Sequence, residues 1–165
     1  MTTKVIITDA GPLIALAKVD LLSIFKKSSF EFWAPQAVIR EATADGSKPG
    51  AAAIQDAVAS HWIQEKTVEH DDLYFSLRKL LDEGEAEAIS LANRNSTAVL
   101  IDETRGRKVA QRKNIPVLGT AALLIHAKEE GFIPEVMPIL NILKLNGYRL
   151  SSGLMLKVQE LAIIA

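Results

Sequence analysis

The chain has 165 residues, 19 Lys plus Arg against 20 Asp plus Glu, and a formal net charge of −1. At 48% hydrophobic and 24% charged it has the composition of one globular domain, which excludes a disordered chain, and its near-neutral balance excludes a strongly basic, nonspecific nucleic-acid coat. There is no cysteine, so disulfides, thiol catalysis and thiolate metal sites are excluded.

The three histidines, His61, His70 and His126, have no metal-ligand spacing of the HxxxH kind, so no zinc site is expected. Lys4 and Asp9 interrupt the first apolar stretch, which makes a poor signal peptide. The longest uncharged apolar run, Asn114–Ala127, contains Pro116 and Gly119 and falls short of the ~20 residues that span a bilayer. The expectation is a soluble cytoplasmic protein with no membrane segment.

In chain order, Lys4–Asp9 is a β-branched, continuous apolar run, as for a strand buried on both faces. Gly11 and Pro12 punctuate it, and Pro12 fits the first turn of a following helix. Asp20 is placed to cap a short helix over LLSIF. Phe30–Ala34 reads as a second strand and Pro35 starts a helix through Ala44; Asp45–Gly50 is a loop. A helix over Ala51–Ser60 precedes a third strand, Trp62–Val68. Asp71 or Asp72 caps a helix to about Leu81, Gly84 separates it from the helix Glu85–Asn95, and Ala98–Asp102 is a fourth strand. Thr104–Lys113 is a basic helix and Ile115–Leu118 a fifth strand, followed by helices near Ala121–Glu130, Glu135–Leu145 and Ser152–Ile164. Alternating strands and helices predict one α/β domain over residues 1–165 around a parallel sheet, with 134–165 a C-terminal helical extension. In such sheets ligands bind beyond the carboxyl ends of the strands.

Four acids attract attention under that rule. Asp9 ends the first strand, Asp102 ends the fourth, and Glu41 and Glu85 lie on helices beside apolar faces. Each has a structural alternative: Asp9 and Asp102 as helix caps, Glu85 at the positive end of a helix dipole, Glu41 on a solvated face. Together, four acids at one edge repel one another unless a cation neutralises them. Oxygen ligands without His or Cys suit Mg²⁺ or Mn²⁺, which activate water and stabilise a phosphodiester transition state.

Three segments carry a resemblance to a known family. Asp9-Ala-Gly-Pro-Leu-Ile-Ala-Leu, Gly84-Glu85-Ala86-Glu87-Ala88-Ile89, and Leu100-Ile101-Asp102-Glu103 with Arg105 and Arg107 resemble the acidic motifs of PIN-domain ribonucleases of the VapC toxin type. Val38-Ile39-Arg40-Glu41 resembles the family's helical Glu, and GTAALLIHAKEEG is similar to a functionally uncharacterised PIN-related group. The resemblance implies a three-layer α/β/α domain with a central parallel sheet of about five strands. It implies a Mg²⁺- or Mn²⁺-dependent endoribonuclease on single-stranded RNA, either the toxin of a toxin–antitoxin pair or an orphan relative. Asp9, Glu41, Glu85 and Asp102 carry over as catalytic metal ligands. The sequence departs from the family in having Glu85 where many toxins have Asp, and in Glu103, a further acid that shares or replaces the role of Asp102.

Two other readings stand beside this one. One is a degenerate PIN fold used only for RNA or protein binding. The other is a phosphoacceptor domain on a flavodoxin-like sheet, for which only Asp9 is suitably placed. Arg105, Lys108 and Arg112 share one helix face; Arg105 and Lys108 are taken as RNA-phosphate contacts, the alternative being a solvated face. Trp33, Trp62 and Phe75 are expected in the core. Glu85 and Glu87 lie about 200° apart on a helix; Glu85 is expected inward and Glu87 nearer solvent. The apolar segment Leu154–Ile164 calls for burial on its own domain or a partner, and the resemblance to PIN-like proteins, which commonly pair, implies a homodimer.

Overall fold

Ile6, Ile7 and Thr8 of β1 (Val5–Thr8) are buried, as a strand covered on both faces requires. In the computed structural model, which describes residues 4–149, β1 pairs in parallel with β2 (Glu31–Pro35) and with β4 (Ala98–Leu100). Beyond these, β2 pairs with β3 (Gln64–Lys66) and β4 with β5 (Val117–Leu118), again in parallel. The order is β3-β2-β1-β4-β5. The chain winds one way from β1 to β3 and the other way through β4 and β5, so the switch point lies between the carboxyl ends of β1 and β4. The Asp9 amide donates to the Leu100 carbonyl at 2.9 Å, joining the two strand ends there. A flavodoxin-like sheet would put β3 beside β1; here β4 occupies that place.

Helices flank the sheet: α1 (Ala10–Lys18), α2 (Ser23–Lys27), α3 (Gln36–Ala42), α4 (Pro49–Ala59), α5 (Asp72–Arg78), α6 (Glu83–Asn95), α7 (Thr104–Arg112), α8 (Thr120–Glu129) and α9 (Met137–Leu145). This is the α/β/α arrangement expected. α6 packs against β1, β2, β4, α3 and α5. Its residues Ala86, Ala88, Ile89 and Ala92 are fully buried. From α9, Leu140 and Leu143 join the core. The segment Ser152–Ile164, expected to be helical and apolar, lies outside the described residues. Among the described residues no helix is long and apolar enough to cross a membrane.

Several expected boundaries shift, for physical reasons. Pro49 takes the first turn of α4, which shortens the loop expected over Asp45–Gly50. Asp20 does not cap α2: it sits at φ +57° in a left-handed turn, and α2 begins at Ser23. Gly84 does not separate two helices but lies inside α6, because Asp82 caps that helix by accepting from the Glu85 amide at 2.8 Å. There a Cβ would come within 2.9 Å of Glu41 Oε2, so glycine lets α3 and its acid approach α6. Phe75 is not a core residue; it is 58% exposed on α5. Trp33 and Trp62 are half-buried beneath the ammonium groups of Lys66 and Lys26.

Candidate functional site

Asp9 follows β1 at the N-cap position of α1, yet its side chain makes no capping hydrogen bond. It is 7% exposed, and its Oδ1 has no hydrogen-bond partner. An unpartnered buried carboxylate oxygen is costly. Burial pushes the Asp9 carboxyl up to about 7; the Ala10 amide works against this, and the charges of Glu41, Asp82 and Asp102 add to it. The Asp9 environment therefore brings together three of the four expected acids, Asp9, Glu41 and Asp102, and adds Asp82.

Glu85 enters from α6. Burial raises its carboxyl well above the usual range, and the charges of Asp82, Asp9 and Glu103 raise it further. Glu41 is raised by burial and by Asp82. The charge of Asp82, exposed at the cap of α6, thus acts on Asp9, Glu41 and Glu85 alike, and the sequence reading did not single it out. Its signal was available: Asp82 and Glu85 have the D-x-x-E spacing of a capping box, which marks a helix start beside the acids. Gly106 of α7 sits where a Cβ would be 3.5 Å from Glu103 Oε2 and 3.6 Å from Glu85 Oε2, so these two acids flank the start of α7. Glu103 also caps α7, accepting from the amides of Arg105 at 3.0 Å and Gly106 at 2.7 Å.

With Glu103 as the cap, Asp102 is free for other partners. Its Oδ1 accepts from the Thr120 amide at 2.7 Å and its Oδ2 from the Thr120 hydroxyl at 2.6 Å. The Tyr148 hydroxyl donates to Oδ1 at 2.9 Å. Burial and the Asp102 charge push the Tyr148 hydroxyl above its ordinary value, so it stays protonated as a donor. The Arg107 guanidinium donates to the Ile101 carbonyl at 2.8 Å. It and Asp102 both border Gly119, where a Cβ would be 3.1 Å from each. Thr120 and Tyr148 escaped the sequence reading because they lie 18 and 46 residues from Asp102.

The opposite face of α6 corrects one expectation. Glu87 is not nearer solvent: it is 4% exposed. Its Oε1 accepts from the Ala37 amide at 3.1 Å, at the start of α3, and its Oε2 lies 2.6 Å from His70 Nε2. His70 in turn stacks on Tyr74, with centroids 3.7 Å apart. Glu87 therefore anchors α3, the helix that carries Glu41. His70, Glu83 and Glu87 place three ligand atoms within 4.8 Å of one another, a grouping of the kind that can hold a metal. Glu83 and Glu87 lie one helical turn apart on α6, and tertiary packing brings His70 to them. Both oxygens of Glu87 already have partners, and Arg40 lies 3.5 Å from Glu83.

A cleft of about 320 Å³ opens beside the main cluster, its lining including Asp9, Asp102 and Glu103 together with Lys18, Tyr148 and Arg149. Arg105 and Lys108 are exposed on α7, outside the group of acids. An all-oxygen donor set around an orphaned, buried carboxylate oxygen fits a hard divalent cation. Residues 5–163 match the model of a family described as a PIN domain. No curated protein gives a significant match to the chain.

Proposed function

Because the chain belongs to the PIN-domain family, whose members are generally nucleases, we propose that it is a metal-dependent endoribonuclease acting on single-stranded RNA. One observation supports this above the others: the buried, unpartnered Oδ1 of Asp9, with Glu41, Asp82, Glu85 and Asp102 each in electrostatic reach of Asp9. Asp9, Glu41, Glu85 and Asp102 would hold the ion, with Glu103 an alternative ligand at the start of α7. When bound, Mg²⁺ or Mn²⁺ supplies Lewis-acid stabilisation of charge on a phosphodiester and activation of water.

The chain's own residues do the rest. Thr120 and Tyr148 hold Asp102 in one orientation. Glu87 fixes α3 and so the approach of Glu41. Arg105 and Lys108 contact RNA phosphates from the exposed side of α7, where neutralising phosphate charge supports binding and makes it salt-dependent. The cleft beside the acids gives a single strand room to lie across them. By the likeness of its acidic motifs to VapC-type toxins, the protein acts as the toxin of a toxin–antitoxin pair or as an orphan relative. It works in the cytoplasm, as a homodimer.

The test is cleavage of a single-stranded RNA by the purified chain with Mn²⁺, with Mg²⁺ and in chelator, beside Asp9→Asn and Asp102→Asn. Cleavage is expected only with a divalent ion and only by the unsubstituted protein. Cleavage that persists in chelator, or in both variants, overturns the reading.

A further inference from the structure

A carboxylate offers about four lone-pair sites, and at Asp102 three are filled among the described residues. Oδ1 accepts twice, from the Thr120 amide and the Tyr148 hydroxyl, and Oδ2 accepts once, from the Thr120 hydroxyl. Oδ1 is saturated, so one lone pair on Oδ2 remains for a cation. The two Thr120 bonds come from the residue next after β5 and its Gly119 linker, beside β4 in the sheet. The Tyr148 bond is different in kind, because it reaches the strand end from beyond α9.

The backbone after α9 explains how. Gly147 has φ +93°, a left-handed conformation that favours glycine. Its amide donates to the Lys144 carbonyl at 3.1 Å, and the Tyr148 amide donates to the Leu143 carbonyl at 2.9 Å. These are the two bonds of a Schellman motif, which closes the helix and reverses the chain. Leu143 is 1% exposed, so the turn is seated on the core. The Lys18 ammonium donates to the Asn146 carbonyl at 3.4 Å, tying the same turn to α1 across the cleft. The ring of Tyr148 is thereby delivered to the wall of the cleft that Asp9, Asp102 and Glu103 line.

We propose that Tyr148 is a positioning residue of the metal centre: held by the Gly147 turn, its hydroxyl saturates Asp102 Oδ1 and leaves a single Oδ2 lone pair to bind the cation. The proposal rests on the metal-dependent reading above and extends the site to a residue outside all the acidic motifs. Tyr148 touches the ligand and not the reacting atoms, so its removal acts on metal affinity before it acts on chemistry. Hydrogen-bond partners of metal ligands commonly set affinity in this way.

The experiment uses the full chain and Tyr148→Phe, which keeps the ring and removes the hydroxyl with its contacts to Asp102 and Thr120. Mn²⁺ binding is measured by titration calorimetry, and RNA cleavage is measured across Mn²⁺ concentrations. Tyr148→Phe is expected to bind Mn²⁺ about tenfold more weakly, at the lower end of what outer partners of metal ligands contribute. The Mn²⁺ concentration for half-maximal cleavage should rise by the same factor, with kcat at saturating Mn²⁺ nearly retained. Gly147→Ala keeps the hydroxyl but strains the turn, so it should weaken binding in the same direction and add little in the double variant. Wild-type binding that is lost in Asp9→Asn but unchanged or tighter in Tyr148→Phe overturns this proposal alone. A wild type that binds no Mn²⁺ overturns the metal-dependent reading and this proposal with it.

Discussion

Replacing Asp9 by Asn separates the destabilisation this carboxylate imposes on the metal-free protein from what it contributes once a cation is bound. Burial holds the folded-state carboxyl at about 7, against an ordinary value of 3.8. The group binds its proton more tightly folded than unfolded. Its contribution to stability is therefore fully present below about pH 4 and lost as pH rises through about 7. At about 1.4 kcal/mol per unit, the full shift corresponds to about 4 kcal/mol against the folded state at pH 8. Asn carries no charge but leaves a buried amide to satisfy, so a net gain of about 2 kcal/mol is expected. For a chain of this size that is about 6 °C in melting temperature. The assay is thermal unfolding of both proteins at pH 5 and pH 8, in chelator and with Mn²⁺. Asp9→Asn should melt higher than the wild type at pH 8 in chelator, by a margin that shrinks at pH 5. Mn²⁺ should raise the wild type alone, since only it keeps the ligand. Equal melting at pH 8 in chelator, or equal stabilisation of both proteins by Mn²⁺, would refute the reasoning.

On the two faces of α6, Glu85→Gln should abolish divalent-dependent cleavage without loss of stability. Glu87→Ala should cost about 3 kcal/mol by unpairing the Ala37 amide and His70; denaturant melts and cleavage rates distinguish the two effects. Gly84→Ala should leave the melting temperature nearly unchanged, because the atom 2.9 Å from the new Cβ is the mobile end of Glu41. It should still lower cleavage several-fold, as an order of magnitude for a ligand displaced by tenths of an ångström; unchanged cleavage would remove Glu41 from the site. Arg105→Ala and Lys108→Ala should each weaken RNA binding and flatten its salt dependence by about one phosphate contact, as read by fluorescence anisotropy over a range of salt.

The alternation of strands and helices was legible because β1 and β4 are short apolar runs closed by an acid, and parallel strands buried on both faces have that signature. The convergence of Asp9 and Asp102 followed from the same rule. Asp82 was missed because Gly84 reads as a break between two helices, which sets the helix start at Glu85 instead of at the Asp82 cap. Glu87 was misplaced because its neighbours Ser90, Leu91 and Arg94 suggest a polar face, whereas Ser90 and Leu91 are buried. The α3 N-terminus and His70 satisfy the carboxylate there, and those partners come from tertiary packing. Tyr148 belongs to the same class: nothing within one helical turn of it points to Asp102, and only the fold of α9 over the domain brings the hydroxyl there.

The most direct measurement is an anomalous diffraction map from crystals of the full chain soaked in Mn²⁺. The account predicts a peak within ligand distance of Asp9 Oδ1 and Asp102 Oδ2, with Glu85 or Glu41 beside it, and its loss in Asp9→Asn. A peak confined to His70, Glu83 and Glu87, or no peak at the strand ends while the protein still cleaves RNA, would contradict it.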